Sequence, residues 1–466
     1  AVKKLPGVIA SPTGGLTLNG KGVTIFIDGS PSTLSGTDLE NYLSTLPANA
    51  IEKVELIYNP GASFDANASG SVINLVTSSK RLKGINASFN INYNFNKYQK
   101  PSPQILLNGK EKNLSWQTML GYNYIDSDQK SKNGQTFTWF NPAEHLDQNK
   151  LTLYTQRNLY FRLGTNYKLS QKSNLLFNYN TNFSNDRETF SAKTLGSNVD
   201  YSNNGLTKIK GNNNELSLQF KTKLDTIGRT LDIVAYTNIM DRNPISKSNG
   251  LDAIASTPSF FNNSSDFKLL NYYTKFDFAI PFEKLKFSIN TGGKFNTLEV
   301  NNLGTYNFNV LNPKLIDFDY KETNLAFYAE ARKKIKKFSF TAGLRYENFN
   351  VNRTGIVEDI PTKIDFKNNN LFPNVSALYE ISNSVNVSAS YSRKISQPNY
   401  RTLDPNGSDF DQYNSSEGNL LLNPSFFDNY EFKISAMDFV QIGTNYSVAK
   451  NHNQFILSAN PNELIS

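Results

Sequence analysis

From Ile85 onward hydrophobic and polar residues alternate strictly. Ile85, Ala87, Phe89, Ile91, Tyr93 and Phe95 fall on one side, and Asn86, Ser88, Asn90, Asn92, Asn94 and Asn96 on the other. Successive side chains of an extended chain point to opposite faces, so this period of two specifies a strand with one apolar and one polar face. The same pattern returns over residues 114–124, 159–169, 216–220, 338–346 and 385–391. The fuller copies run for about ten residues, the length a tilted strand needs to cross a bilayer.

The connections between these runs alternate in length. Short ones fall at residues 108–113, 170–174, 225–229, 281–284, 333–337 and 382–384 and around Met437. Long ones are expected at 126–150, 185–207, 241–267, 297–322, 348–370 and 396–427, while the first, at 97–101, is brief. Short turns on one rim and long loops on the other predict an up-and-down, antiparallel transmembrane β-barrel, here of about fifteen strands. A soluble sandwich or propeller has no need for every second connection to be long. A solenoid would show one motif at a fixed period, and none is found. In the barrel Phe, Tyr, Leu and Val face lipid, and Asn, Ser, Lys and Glu line the interior.

Residues 22–77 follow a different rule and read as a small α/β unit. Val23, Ile25 and Ile27 mark a strand that stops at Asp28-Gly29, where glycine accepts the turn. Thr37 and Glu40 have capping-box spacing, Asp38 suits a helix N-terminus, and Leu39, Tyr42, Leu43 and Leu46 share one helical face. A helix is therefore expected to run up to Pro47. Strands at 54–57 and 72–76 follow, separated by Asn59-Pro60-Gly61 and a loop of small residues at 66–70. Residues 1–7 read as the end of a helix, with Lys3, Lys4 and Gly7 suited to its C-terminus, so the unit is expected to start upstream of Ala1.

The blocks IDG, SGTDLENYLSTLP and AIEKVELIYNPGASFDANASGSVINLVT occur here in that order. Together they resemble the plug domain of TonB-dependent outer-membrane receptors, in the variant common among Bacteroidetes-type bacteria. TAGLRYENF at 341–349 resembles a recurrent strand of that family, and SRKISQPNY with SEGNLLLNPSFFDNYEF resembles its segment before a tyrosine-bearing strand. Leu421, Leu422 and Ser425 depart from the family pattern, which leaves that loop without a role assigned by position.

The resemblance implies an N-terminal plug over 1–80, incomplete at its start, enclosed by a barrel over 81–466 that is incomplete at its end. The family's barrels have 22 strands, so further strands or a partner chain are expected to complete this one. The family's function is capture of a scarce nutrient and its passage across the outer membrane. The implied partners are TonB with ExbB and ExbD, outer-membrane lipid and lipopolysaccharide, and surface lipoproteins or other outer-membrane complex subunits. The alternative is a receptor-like barrel that does not transport and serves as a structural subunit of an assembly or secretion complex. Plug loops are expected to face the ligand, with Ser30, Ser35, Pro60 and Gly70 as the candidate residues.

Composition sharpens this picture. Only 38% of the 466 residues are hydrophobic, yet Phe 33 and Tyr 24 are abundant, as suits sheets with one greasy and one wet face. No apolar run approaches the roughly 18 residues of a membrane-spanning helix. Cys 0 removes disulfides and thiolate chemistry. The net charge of +8 comes from dispersed lysines whose densest run, from Arg332 to Lys337, falls in a turn, which argues against nucleic acid.

Motifs for catalysis are missing. His145 and His452, the only histidines, are expected in long loops, and HExxH, GxSxG and P-loop motifs are absent. The chain reads as a non-enzyme without cofactor. Asp404, Asn406, Ser408, Asp409 and Asp411 gather oxygen atoms around a glycine but lack EF-hand spacing, so turn chemistry is expected in place of a metal site. Aromatic pairs at Trp139-Phe140, Phe260-Phe261 and Phe426-Phe427 are expected to pack the loops together.

Overall fold

The computed structural model describes residues 84–453 apart from 96, 139–142, 310–313, 358–359, 383, 405–407, 412–413, 417 and 437–439. Before residue 84 it describes 8–10, 16–18, 21–27, 30–31, 51–57, 61–66 and 71–77. The expected helix at 37–47 and the helix end at 1–7 lie outside the described residues.

The N-terminal unit is a small mixed sheet of β1 (Val8–Ala10), β2 (Leu16–Leu18), β3 (Lys21–Ile27), β4 (Ser30–Pro31), β5 (Ile51–Ile57) and β6 (Ser71–Thr77). Its order is β1-β2-β3-β6-β5, with β4 paired to β3. The three strands read from the sequence are present as β3, β5 and β6, and β3 lies parallel to β6. Val72 and Ile73 point to opposite faces of β6 and both are fully buried, so the centre of this sheet is covered on two sides.

All fifteen expected strands of the barrel wall form one antiparallel sheet. They are β7 (Gly84–Phe95), β8 (Gln99–Glu111), β9 (Leu114–Phe137), β10 (Glu144–Lys168), β11 (Ser173–Leu195), β12 (Asp200–Lys223) and β13 (Thr230–Asp252), followed by β14 (Thr257–Phe282), β15 (Phe287–Phe308), β16 (Lys314–Ile335), β17 (Phe338–Val357), β18 (Ile360–Ser382) and β19 (Val385–Ser396), and finally β22 (Ser425–Ala436) and β23 (Val440–Lys450). Each strand pairs with its neighbour in the chain, except that β19 meets β22 across an insertion. That insertion carries a short helix, α1 (Tyr400–Leu403), and a hairpin of β20 (Ser408–Asp411) and β21 (Asn414–Ser416).

The long loops expected from the sequence are mostly strand. β11 and β12 stay paired from Ser173↔Thr222 to Leu195↔Asp200, which absorbs most of the expected loop at 185–207. Five of the six long connections shrink in this way, and only the segment between β19 and β22 remains long. The apolar alternation that marks a strand in sequence stops where lipid stops. Backbone hydrogen bonding has no such limit, and the outer halves continue as ladders of Asn, Lys, Ser and Thr. A 26-residue strand such as β14 is roughly 85 Å long at about 3.3 Å per residue, against an apolar band about 25 Å tall. His145 accordingly lies in β10, not in a loop.

The faces sort as the alternation requires. On β16, Leu325 and Phe327 are 39% and 49% exposed, whereas Ala326, Tyr328 and Glu330 point inward and are buried. Farther from the short turn the outward positions become Lys321 and Asp319, with Lys321 paired to Glu299 on β15. The run from Arg332 to Lys337 forms the β16–β17 turn, with Lys336 at φ 50°.

The interior is less uniformly polar than the sequence suggests. Leu269, Val300, Phe318, Tyr320, Phe349 and Val351 form an apolar shelf across the inner face of β14 to β17. Leu403 of α1 and Leu420 close over it, each 1% exposed. The described ends of the insertion, around Leu403 and Leu420, therefore dock on the inner face of the wall. Asn399 caps α1 through Arg401 and Thr402 amides, Asn302 donates to Asp404 at 2.8 Å, and Arg353 donates to the Leu422 carbonyl at 2.8 Å. Asp404, considered above among possible metal ligands, serves here as a hydrogen-bond acceptor that holds the insertion to β15.

Candidate functional site: the latch between the N-terminal unit and the barrel wall

Segment 61–66, Gly-Ala-Ser-Phe-Asp-Ala, reaches from the N-terminal unit to the inner wall. It begins with a tight turn closed by Phe64 N–H to Gly61 carbonyl at 3.1 Å. Gly61 is required by close approach, because a Cβ there would lie 2.1 Å from Glu330 Oε2. Phe64 packs edge-on against Phe26 of β3 at 5.5 Å between ring centroids, which ties the turn back to the N-terminal sheet.

Four wall strands supply the receiving groups. Lys294 (β15) donates to Asp65 Oδ2 at 2.6 Å, and Arg345 (β17) donates to Asp65 Oδ1 at 3.0 Å. Glu330 (β16) accepts from the Ala62 amide at 3.0 Å, Glu347 (β17) accepts from the Ala66 amide at 3.3 Å, and the Ile395 amide (β19) donates to the Ala66 carbonyl at 3.2 Å. The wall groups are themselves fixed. Arg332 pairs with Glu330 at 2.7 Å, Arg345 Nε donates to Glu347, and Asn324 donates to Glu347 at 3.1 Å. Tyr273 lies 4.6 Å beneath the Lys294 ammonium and Tyr328 5.7 Å from the Arg345 guanidinium, so aromatic faces support both cations.

This arrangement is electrostatically biased toward the docked segment. Arg345, Glu330 and Glu347 are 1%, 2% and 3% exposed, and groups so poorly hydrated need fixed partners. Desolvation pushes the Asp65 carboxyl upward, but the charges of Lys294 and Arg345 outweigh it and hold the group well below the usual carboxylate range. Asp65 is therefore a carboxylate at any physiological pH. Beside the latch, a cavity of about 330 Å³ separates the N-terminal unit, at Phe26, Glu55 and Asp65, from the wall at Gln219, Asp232 and Lys275.

Of the residues nominated from the sequence, Ser30 lies in β4 and pairs with Ile27 of β3. Ser35, Pro60 and Gly70 lie outside the described residues. The residues that do meet, Asp65, Lys294, Glu330, Arg345 and Glu347, were not nominated. Signals for three of them were present, since Asp65 stands in the FDA of the plug motif and Arg345 and Glu347 in TAGLRYENF. The other two sit among many lumenal Lys and Glu residues and carry no mark of their own. Of the aromatic pairs, Trp139-Phe140 lies outside the described residues, Phe261 meets Tyr306 at 5.7 Å, and Phe426 packs beside Ala66, Phe372 and Ile395 next to the latch. His145 hydrogen-bonds Thr136 at 2.8 Å within the ladder.

The fold is shared with solved outer-membrane proteins. The alcaligin outer-membrane receptor FauA from Bordetella pertussis superposes with a TM-score of 0.57 at 13% identity, covering 99% of this chain and 69% of that one. A mutant of the ferric enterobactin receptor PfeA from Pseudomonas aeruginosa gives 0.59 at 14% identity, covering 96% and 67%. The copper transporter OprC gives 0.59 at 12% identity, covering 93% and 65%. The chain thus spans about two thirds of the length of these proteins. Its sequence also matches the profile of the outer membrane protein beta-barrel family over residues 222–466, more than half of its length. With a fifteen-stranded antiparallel wall, an outward apolar band and a separate unit latched inside, the chain belongs to the outer membrane β-barrel family and resides in the bacterial outer membrane.

Proposed function

We propose that the protein is a TonB-dependent receptor that takes up a scarce nutrient across the outer membrane, driven by TonB with ExbB and ExbD. The observation that carries this reading is the latch, in which Asp65 of the plug is held by Lys294 and Arg345 of the wall. A plug fixed only by a continuous apolar core would be a permanent stopper. One held by a compact ionic and amide contact, next to an existing cavity, rests closed and is released when a few charge-assisted bonds are pulled apart. The outer membrane offers no nucleotide for this work, which is why a pulling partner in the periplasm suits the design. Leu403 and Leu420 of the insertion pack on the inner wall toward the long-strand side, so ligand capture and plug release would occupy opposite ends of the path. The similar proteins named above are receptors for alcaligin and for ferric enterobactin and a copper transporter, which supports uptake of a metal chelate or a nutrient of comparable scarcity. Binding and passage require no chemistry on the ligand, and the protein acts without being an enzyme.

The experiment is uptake of a panel of iron chelates, glycans and peptides by cells with and without the gene, each with and without a protonophore. Uptake lost both on deletion and on collapse of the proton gradient supports the reading. Uptake that depends on neither defeats it.

A further inference from the structure

The charge that composition spreads over the chain is concentrated by the fold. Three consecutive turns on the short rim, between β8 and β9, β10 and β11, and β12 and β13, lie side by side. They are stitched by Lys168 N–H to the Asn113 carbonyl at 2.8 Å and by Lys223 N–H to the Lys172 carbonyl at 2.9 Å. Together they surround a cavity of about 600 Å³ lined by Lys110, Lys112, Lys168, Lys172, Lys221 and Lys223. Volumes of roughly 300–1,000 Å³ are those of small-molecule sites.

Register places the cavity on the lumenal side of the mouth. Lys168 pairs with Asn174, Asn174 with Lys221 and Lys221 with Asp232, and residues directly opposite in a ladder share a face. Asp232 and Thr230 also line the gap between plug and wall, so the two cavities adjoin. Asp232 is the one carboxylate among the lining residues, and it is already engaged by Gln219 at 2.8 Å and by Lys221 at 3.6 Å. Among the described residues none forms an ion pair with the other five lysines. Gathering six ammonium groups around one concavity with a single carboxylate is unfavourable by Coulomb repulsion unless anions collect there.

We propose that this mouth is a binding site for a multivalent oxyanion, a molecule carrying two or more phosphate or carboxylate charges, at the periplasmic end of the barrel. Ammonium groups on flexible stems suit a point-charge clamp on phosphate or carboxylate oxygens and do not demand one planar geometry. The rigid turns bring the Cα atoms together, and the side chains supply the adjustment. The same chemistry is offered by a soluble solute in the periplasm and by the headgroup of an anionic lipid in the inner leaflet. The site stands on its own geometry, whether or not the barrel transports.

The test uses the folded full chain in neutral detergent, titrated calorimetrically with tripolyphosphate. A triple variant K110Q/K168Q/K221Q is compared with K284Q/K286Q/K336Q, which removes the same charge from the same rim outside the cavity, and with K110R/K168R/K221R. The first triple is expected to weaken binding by at least about tenfold, while the second changes it by less than about twofold and the arginine triple retains it. Absence of saturable binding to the unmodified protein overturns the proposal. Equal losses in the two glutamine triples overturn it too, because they would mean a diffuse field and not a site. Repeating the titration in nanodiscs of phosphatidylglycerol and of phosphatidylcholine separates the sources. Competition by phosphatidylglycerol assigns the site to a lipid headgroup, and its absence assigns the site to a soluble solute.

Discussion

Replacing Asp65 by Asn removes the one charge that segment 61–66 brings to the latch while keeping its shape. Two charge-assisted hydrogen bonds are lost, to Lys294 and to Arg345. Bonds to charged groups contribute about 1.5–3 kcal/mol each, which sets an upper bound of roughly 6 kcal/mol. The Asp65 side chain is 38% exposed and so partly screened, whereas Lys294 and Arg345 are 12% and 2% exposed and stay desolvated without it. We therefore expect a loss of about 2–3 kcal/mol of docking free energy, a shift of roughly 30- to 150-fold in the ratio of docked to released segment. The amides of Ala62 and Ala66 report it directly, since their acceptors are Glu330 and Glu347 of the wall. Hydrogen exchange at these two amides, measured in nanodiscs at neutral pH, should accelerate by that factor while amides at the centre of β6 stay protected. A double-mutant cycle with Arg345→Gln isolates the pair, and its coupling should be a large part of the single-mutant effect. Exchange within twofold of the unmodified protein would refute the latch as an energetic feature and leave it a mere contact.

Four further outcomes are expected. Gly61→Ala should loosen the same segment by about 1–3 kcal/mol, because the new methyl meets Glu330 Oε2 at 2.1 Å and that carboxylate is pinned by Arg332; unchanged exchange at Ala62 would count against it. Because the Asp65 pKa is depressed on folding, its stabilisation is complete above the unfolded value of about 3.9 and is lost only as pH falls toward the lower folded value. Corrected for the intrinsic pH dependence of exchange, opening of the segment read at the Ala62 and Ala66 amides should thus be flat from neutral pH to about 4.5 and rise below about 4, and a rise between pH 6 and 5 would contradict the assignment. Phe327→Lys should cost about 2–4 kcal/mol in urea-dependent folding into vesicles, whereas Asp319→Lys, outward on the same strand but beyond the apolar band, should cost under about 1 kcal/mol. Leu420→Asp buries a charge against the shelf of Phe318 and Val300 and should expose the β19–β22 insertion to protease without unfolding the wall, and continued protection would show that the insertion is held by its polar contacts alone.

The alternation of apolar and polar residues determined the strands, their number and their in/out sense, because a two-residue period leaves a face no freedom once one side must meet lipid. It did not determine where strands end. Past the bilayer both faces are wet, so the sequence loses its contrast while the ladder continues, and β11 and β12 run on through residues that read as loop. The strands β3, β5 and β6 of the N-terminal unit were legible as short apolar runs, yet the contact of segment 61–66 with the wall was not. Asp65 lies 229 positions from Lys294 and 280 from Arg345 in the chain. The FDA motif marks Asp65, but nothing local states which two buried cations it will meet. The insertion shows the same limit from the apolar side, since Leu403 and Leu420 are unremarkable in a loop until the shelf on β14 to β17 is assembled beneath them. Local periodicity is fixed by neighbours two residues away, and so the sequence by itself states it. Which charges and which leucines find one another is fixed by closure of a wall hundreds of residues long, and only the tertiary structure decides that.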